Sequence, residues 1–405
     1  MMFRTPFFYY GCAVIAMLIL FPGPLQARTF TVERGSDLQA VIDYAADGDT
    51  IIAGLKNFTA RAVHFTDSLC GNCTDHRTEV EASYGFLIKD KSLNIVGTDR
   101  HETRLVTNAG YGIFFVNSPN SSLINLTVTG GKRDPDGNAT DAGIVVRNSR
   151  VTIQFCDIIN NSNRIDSVTV GIGGVVGREG AEIIIDHCRI DDNTWDGIAL
   201  YRGASAVITD CEITDGRGAG IGVTWDASCL AYRNKISGYW KGIGAFGTAW
   251  VVARNNNVSD NLGWGIIATG NSFMDISNNL IRHNGNCGVA PWSTESRGRI
   301  INNIIIKNGW RKEWVCPCVG VWNYGDWAKW DFSFNIVWDN KEGNYRDIWD
   351  QTDINGNLSV NPGFLNDSSL VLGPDSPAID AGHPELSDPD GTCSDIGIWG
   401  GPQAK

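Results

Sequence analysis

Residues 197–243 read GIALYRGASAVITDCEITDGRGAGIGVTWDASCLAYRNKISGYWKGI, and this stretch contains the pattern that decides the fold. A glycine followed by isoleucine occurs at Gly197, Gly220 and Gly242, so the spacings are 23 and 22 residues. Each interval contains three short runs rich in strand-forming residues, as at 198–200, 206–208 and 212–214. An interval this short has no room for a helix beside three strands, so each unit is predicted to be one all-β coil.

The glycine–apolar pair recurs along most of the chain. It stands at Gly143, Gly174, Gly197, Gly220, Gly242, Gly265, Gly288 and Gly320, with weaker copies at Gly85 and Gly112. A second column lies just before the third run of each unit and comprises Cys156, Cys188, Cys211, Asn234, Asn256, Asn279, Asn303 and Asn335. Successive coils stack about 4.8 Å apart, so these five asparagines can bond one another and the turn backbone. This period predicts a parallel β-helix with three strands per coil.

With these two columns, the chain resembles the right-handed parallel β-helix proteins of the pectate-lyase-like superfamily. The resemblance implies an all-β fold, export from the cytoplasm and chemistry on polysaccharides. The sequence at 36–39, Ser-Asp-Leu-Gln, has the form of a capping box and predicts a short amphipathic helix over the N-terminal end of the core. We expect a signal peptide at 1–27, a cap and first coils at 28–84, the repeats at 85–345 and a C-terminal cap at 346–405.

Composition narrows the class of protein. Of the 405 residues, 42% are hydrophobic and 19% are charged, which is typical of a folded chain. The net charge of −12 argues against a nucleic-acid partner, because such a protein would carry a basic surface. The only long apolar run, 12–21, precedes Pro22-Gly23-Pro24 and favours a secretory signal over a membrane anchor. We therefore expect a secreted or periplasmic monomer without stable membrane insertion after signal removal.

The outer face of the first strand is the expected substrate groove of this superfamily. Strand alternation turns outward the residue three positions after each inward apolar residue, which gives Arg147, Arg178, Tyr201, Thr224, Phe246, Thr269, Trp292 and Tyr324. Aromatic rings stack on sugars and arginine forks bind carboxylates, so a uronate-containing polysaccharide is the expected ligand. Insertions at 162–171 and 309–318 would form walls at the two ends. The alternative is that the rings only shield the sheet. The expected substrate contacts are Arg147, Tyr201, Trp225, Phe246, Trp264, Trp292 and Tyr324.

Catalytic groups are expected in the same columns. A β-helix lyase needs a cation to neutralise the uronate carboxylate and a base for the neighbouring proton, and the resemblance suggests arginine or lysine, sometimes with calcium. Arg178, Arg202 and Lys241 are the candidate cations, and Asp196 and Asp226 are candidate acids or metal ligands. The same aspartates are also a candidate pair for a glycoside hydrolase. A third reading is a non-catalytic glycan-binding or cell-surface β-helix protein.

Known catalytic motifs give little further help. Residues 185–188, Ile-Asp-His-Cys, resemble a pectate-lyase segment, but the arginine-containing catalytic motif of those enzymes is missing. The polygalacturonase and alginate-epimerase motifs are absent as well. His187 stands near the asparagine column, where a turn-stabilising role is the simpler interpretation.

Cysteines and acidic turns offer further candidate sites. Cys70 and Cys73, flanked by His64 and His76, have zinc-ligand spacing, although a disulfide is the simpler expectation in an exported protein. A disulfide from Cys287 to either Cys316 or Cys318 would pin the second insertion. The alternating carboxylates near the C-terminus match either a calcium loop or a capped turn, and they are Asp388, Asp390 and Asp395.

Overall fold

The computed structural model describes residues 27–33, 37–68, 78–162, 170–312, 316–366 and 370–405. The expected signal peptide lies outside the described residues except for residue 27, and Cys70, Cys73 and His76 lie outside them entirely. No helix in the described ranges has the length and apolar character needed to cross a bilayer.

The described chain is almost entirely β-structure. Its N-terminal part comprises β1 (Thr29–Val32), α1 (Leu38–Tyr44), β2 (Thr50–Ala53), β3 (Asn57–Thr59), β4 (Val63–Asp67), β5 (Val80–Lys89), β6 (Asn94–Gly97), β7 (Arg104–Val106), β8 (Tyr111–Val116), β9 (Ser121–Ile124) and β10 (Thr127–Thr129). The central coils comprise β11 (Ala142–Arg147), β12 (Arg150–Gln154), β13 (Asp157–Ile159), β14 (Gly173–Arg178), β15 (Glu182–Asp186), β16 (Arg189–Asp191), β17 (Ile198–Leu200), β18 (Ser205–Thr209), β19 (Glu212–Thr214), β20 (Ala219–Thr224), β21 (Ser228–Tyr232), β22 (Lys235–Ser237), β23 (Lys241–Phe246), β24 (Trp250–Arg254) and β25 (Asn257–Ser259). The last coils comprise β26 (Trp264–Ala268), β27 (Phe273–Ser277), β28 (Leu280–Arg282), β29 (Val289–Pro291), β30 (Arg297–Ile301), β31 (Ile304–Ile306), β32 (Val321–Trp322), a 3₁₀ turn (Trp327–Lys329), β33 (Trp330–Ser333), β34 (Ile336–Trp338) and β35 (Tyr345–Arg346).

The strands form three long sheets. Within each sheet, a strand pairs with the strand that occupies the same position in the next coil. Sheet 1 has the order β4-β5-β8-β11-β14-β17-β20-β23-β26-β29-β32-β35. Sheet 2 has the order β1-β2-β6-β9-β12-β15-β18-β21-β24-β27-β30-β33, and sheet 3 has the order β3-β7-β10-β13-β16-β19-β22-β25-β28-β31-β34. All pairs are parallel except β4 with β5, which are antiparallel. The predicted parallel β-helix with three strands per coil is therefore confirmed.

The glycine–apolar column sets the register of sheet 1. Ile198 pairs with Ile221, which pairs with Ile243, which in turn pairs with Ile266. All four side chains are fully buried, and each such burial contributes about 1.5–3 kcal/mol. The glycine before each isoleucine has no room for a side chain, because an added Cβ at Gly197 would lie 2.6 Å from the carbonyl oxygen of Gly220. One period of the sequence therefore corresponds to one coil, and equivalent apolar residues of successive coils stack on one another in the core.

A helix packs at the N-terminal end of the core, and the C-terminal segment runs along one side of the coils. Helix α1 is capped by Asp37, whose carboxylate accepts the N–H groups of Gln39 and Ala40, and it buries Leu38 and Ile42. The Gln39 side chain both donates to and accepts from the backbone of Leu87, which joins the helix to β5. At the other end of the chain, residues 394–403 lie along the turns between sheets 2 and 3. There they accept hydrogen bonds from the side chains of Arg233, Arg254, Asn255, Asn278 and Asn302.

The predicted asparagine ladder is present and continues for one coil more than expected. Each backbone N–H from Asn234 to Asn335 donates to the side-chain oxygen of the next asparagine at 2.9–3.0 Å, and the series ends on Asn357. The side-chain amide of Asn256 also donates to Ala231 O at 2.9 Å, so this carbonyl of the neighbouring strand has a hydrogen-bond partner. All of these asparagines are buried.

A second ladder was not predicted. Asn261 donates to Asn284, Asn284 to Asn308, and Asn308 to Asn340, at side-chain distances of 2.9–3.0 Å. Each of these residues stands five positions after a member of the first ladder, so the signal was in the sequence. This second ladder holds the turn that leads from sheet 3 into sheet 1, which is the edge where the candidate site lies.

Replacing a ladder residue is expected to destabilise the fold. In Asn279→Leu the N–H of Asn256 and the carbonyl of Ala253 lose their partners within the core, so the free energy of unfolding should fall by about 1–3 kcal/mol. Urea unfolding would measure the change, with Asn120→Leu, at an exposed turn, as the control. Equal stability of Asn279→Leu and wild type would contradict a structural role for the ladder.

Candidate functional site

Three candidate residues meet on the outer face of sheet 1. Asp196, Ala219 and Lys241 occupy one column on three successive coils, and the N–H of Ala219 donates to Oδ1 of Asp196 at 2.6 Å. Tyr201 donates a hydrogen bond to the same carboxylate, and Lys241 interacts with it electrostatically. The central member of the column has only a methyl side chain, so the acid and the amine face each other across it.

Residues with small side chains form the surface of sheet 1 beside Asp196 and Lys241. The outward positions of β17, β20 and β23 next to it hold Ala199, Gly222 and Gly244, which pair with one another across the sheet. An added Cβ at Gly244 would lie 2.6 Å from the ring of Phe246, which lies over that glycine. Ala199 and Gly222 thus leave space beside the carboxylate, while the Phe246 ring covers the sheet next to the amine.

Burial shifts the pKa values of the acid and the amine in opposite directions. Desolvation raises the pKa of Asp196 to about 6, although the Ala219 N–H, Lys241 and Tyr201 all favour its ionised form. Desolvation also lowers the pKa of Lys241, while Asp196 opposes that change. Proton transfer near neutral pH needs a group whose pKa approaches the working pH, and Asp196 meets that condition.

A loop that the sequence analysis overlooked forms one wall of the site. Residues 137–141 face Trp195, Asp196 and Tyr201 across a cleft of about 40 Å³. The loop is held by Arg133, which pairs with Asp141 at 2.5 Å, both side chains being fully buried. Burial raises the pKa of Asp141, and its Oδ1 has no hydrogen-bond partner among the described residues. The spacing of 31 residues between Gly112 and Gly143 was the signal for this insertion.

The arginines do not form the open stripe that we expected. Arg178 is fully buried and donates to Asp67 and, at 3.2 Å, to the hydroxyl of Tyr111. Arg147 donates to the same Asp67 at 3.1 Å, and Arg202 is paired with Glu179. Asp67 ends β4, which folds back antiparallel over the edge of sheet 1. The expectation of solvent-facing arginines is corrected: these side chains are engaged in ion pairs beneath the first coils.

Asp226 does not join Asp196. It lies in the turn after β20, where Oδ1 accepts the N–H of Gly203 at 2.8 Å. Asp196 aligns with the first residue of that strand, so about 16 Å of backbone separates the two positions. A hydrolase pair needs carboxylates about 5–9.5 Å apart, and the structure does not bring these two together.

The aromatic candidates form a continuous strip on the C-terminal side of Lys241. The Lys241 ammonium lies 5.8 Å from the ring centre of Phe246 and 5.9 Å from that of Trp264. Trp264 packs edge-to-face on Trp292, which contacts Tyr324 at 5.8 Å. Trp264 is only 6% exposed, whereas Tyr324 is 64% exposed and faces solvent. At the other side of Lys241, Trp225 lies half-buried against Tyr201, with 6.1 Å between ring centres.

The candidate metal ligands have other partners. Asp388 accepts the N–H groups of Asp395 and Gly401, and Asp390 accepts from Thr392, so these carboxylates cap turns of the C-terminal segment. A different group, Asp186, His187 and Asp210, has its potential ligand atoms within 4.8 Å of one another. Asp210 is already paired there with Arg233 and Lys405, which supply the compensating charge.

Ionisation of Asp196 is expected to appear in the pH dependence of stability. Its pKa is about 6 in the folded protein and about 3.9 in an unfolded chain, so the folded state holds a proton that the unfolded state has released between these values. Stability should therefore fall as pH rises from about 4 to 6, and Asp196→Asn should remove this part of the fall. Thermal unfolding of both proteins across that range would measure it, and parallel curves for the two would contradict it.

Several solved structures have folds similar to that of this chain. The crystal structure of pectate lyase Pel9A is 12% identical, with a TM-score of 0.54 over 94% of this chain and 98% of that one. The A-module of the Azotobacter vinelandii mannuronan C-5 epimerase AlgE4 is 17% identical, with a TM-score of 0.46 over 76% and 82%. The Dettilon tailspike protein is 14% identical, with a TM-score of 0.45 over 73% and 55%. No curated protein matches the sequence.

The family model described as a right-handed beta helix region matches residues 54–228 and again 171–337. The two matches together span 54–337, which is more than two thirds of the chain and contains every residue of the site around Asp196 and Lys241. The chain therefore belongs to the right-handed beta helix family.

Proposed function

We propose that the protein acts on a polysaccharide and is a lyase that cleaves a uronate-containing glycan at Asp196, Tyr201 and Lys241. The observation that carries the proposal is the column of sheet 1 in which Asp196 and Lys241 face each other across Ala219, with Tyr201 donating to the Asp196 carboxylate. The similar fold of pectate lyase Pel9A supports polysaccharide chemistry. Of the three candidate cations, Lys241 alone has no ion pair within 4 Å in the described part of the chain.

Each group has a defined task in an elimination. The Lys241 ammonium binds and neutralises the uronate carboxylate, which acidifies the hydrogen on the adjacent carbon. Asp196 accepts that hydrogen as a proton, a carbon–carbon double bond forms, and the bond to the leaving oxygen breaks. Tyr201 gives its proton to the leaving oxygen and recovers one from Asp196, with which it is hydrogen-bonded. One proton moves from carbon to oxygen and no oxidant or water is consumed.

Turnover should depend on these side chains far more than stability does. Asp196→Asn and Lys241→Ala are expected to lower kcat by about 10²–10⁴-fold on the cognate polymer, because each removes a group needed in the transition state. The ultraviolet absorbance of the unsaturated uronate product would measure turnover across a panel of acidic polysaccharides. Lys235→Ala, which removes an exposed ion pair with Glu212 on sheet 3, is the matched control.

Three outcomes separate the possible functions. Loss of absorbance in the site variants with an unaffected control supports the lyase. New reducing ends without unsaturated product would instead indicate hydrolysis, and binding without any product would indicate a non-catalytic glycan-binding protein. Full activity of Asp196→Asn and Lys241→Ala would place the chemistry elsewhere.

Export to an oxidising compartment predicts a disulfide beside the groove. The thiol of Cys287 is fully buried and hydrogen-bonds that of Cys316, which lies in the second insertion. Thiols this close form a disulfide where thiols are oxidised. Peptide mapping of the secreted protein without reduction should yield a Cys287–Cys316 crosslink, while Cys229, enclosed by the core, should remain a thiol. Recovery of both peptides with free thiols would contradict this prediction.

A further inference from the structure

The charge of the groove changes sharply at Lys241. Toward the N-terminus, the three arginines that sheet 1 carries in and beside its outward column are all paired with Asp67 or Glu179. From β23 through β32, the strands of sheet 1 contain no lysine or arginine other than Lys241. One cation flanks this region from the wall, Arg311, whose guanidinium lies over Trp240 at 4.9 Å and donates to Leu262 O. Lys241 is therefore the single cation within these strands.

Beyond Lys241 the groove becomes aromatic. Trp264, Trp292 and Trp322 pack edge-to-face on successive coils, with ring centres 5.6 and 4.7 Å apart. The next cation of sheet 1 is Arg346 on β35, which lies 3.9 Å from Asp347, the carboxylate that accepts the indole N–H of Trp322. A second carboxylate bound between Lys241 and Arg346 would meet aromatic faces, with no lysine or arginine on β26, β29 or β32 to compensate it.

The regular spacing of the coils relates the lack of lysine and arginine beyond Lys241 to the kind of sugar that can bind there. Coils repeat every 4.8 Å or so, and a sugar residue of an extended glycan covers about one coil. A polymer composed only of uronates would bring a carboxylate to nearly every coil, where burial without a partner is costly. A neutral sugar instead presents an apolar C–H face, which stacks favourably on tryptophan and tyrosine.

We propose that the natural substrate is a mixed glycan in which one uronate at Lys241 is followed by neutral sugars along the Trp264–Tyr324 strip, whose accessible rings are Trp292 and Tyr324. The proposal rests on the function proposed above and adds the composition of the substrate. It excludes homopolymers of uronic acid as preferred substrates. Specificity then comes from a single ion pair at the reacting sugar and from stacking at the sugars beyond it.

The test compares two oligosaccharides of one length and linkage. In the first every residue is a uronate, and in the second the residues on the aromatic side of the reacting uronate are reduced to neutral sugars. Binding is measured by calorimetry on Asp196→Asn, so that affinity is read without turnover. The mixed oligosaccharide should bind at least about tenfold more tightly, because the other brings carboxylates to β26, β29 and β32, which carry no lysine or arginine.

Variants of Tyr324 make the test specific to the strip, since this ring is mostly exposed and its loss should not disturb folding. Tyr324→Ala should weaken the mixed ligand about 5- to 30-fold and leave the homopolymer unchanged. Tyr324→Lys should narrow the preference. Trp250→Ala, at an exposed ring on sheet 2, is the matched control and should change neither affinity.

Two results would overturn the inference: equal or tighter binding of the all-uronate oligosaccharide, or no measurable binding of either. Turnover by the wild-type protein is read separately through the unsaturated product. A preference for the mixed ligand without turnover would uphold the subsite assignment and refute the lyase. Turnover that favours the all-uronate ligand would uphold the lyase and refute this assignment.

Discussion

The hydrogen bonds that join each coil to the next at equivalent positions determine everything else in this molecule. A parallel strand has only one register in which its apolar residues stay in the core, because a slip of one residue turns them outward. The two asparagine ladders fix that register at the turns, where strand pairing alone would leave amides and carbonyls unpaired. Once they are fixed, a residue 22 or 23 positions later in the sequence is a vertical neighbour in space.

This vertical adjacency explains how a column in the sequence becomes a site. Asp196 and Lys241 are 45 positions apart, yet they lie two coils apart with only a methyl group between them. Tyr201 lies on the same coil as Asp196, directly after β17, and contacts the carboxylate from there.

Features that follow the period could be predicted, and features outside it could not. The glycine column, the first ladder and the outward position of Lys241 all follow from counting residues. The fate of Arg178 depends on Asp67, which belongs to an antiparallel strand that is no part of the repeat and returns over sheet 1. The wall at 137–141 likewise depends on Arg133, whose guanidinium bonds several loop carbonyls and Asp141. Such contacts join residues that no pattern relates.

Stacking also limits where a charged site can be built on this fold. Like charges on adjacent coils would face each other at about 4.8 Å, and burial against the sheet would strengthen their repulsion. The chain limits this repulsion in two ways. At the N-terminal coils Arg147 and Arg178 are direct neighbours on adjacent strands, and both pair with Asp67, while Glu179 pairs with Arg202. At the site it separates Asp196 from Lys241 by Ala219 and follows Lys241 with Trp264, so one acid and one amine retain charges that a ligand can use. One acid and one amine on alternate coils, bordered by aromatic rings, can therefore be accommodated by a stacked architecture at low electrostatic cost.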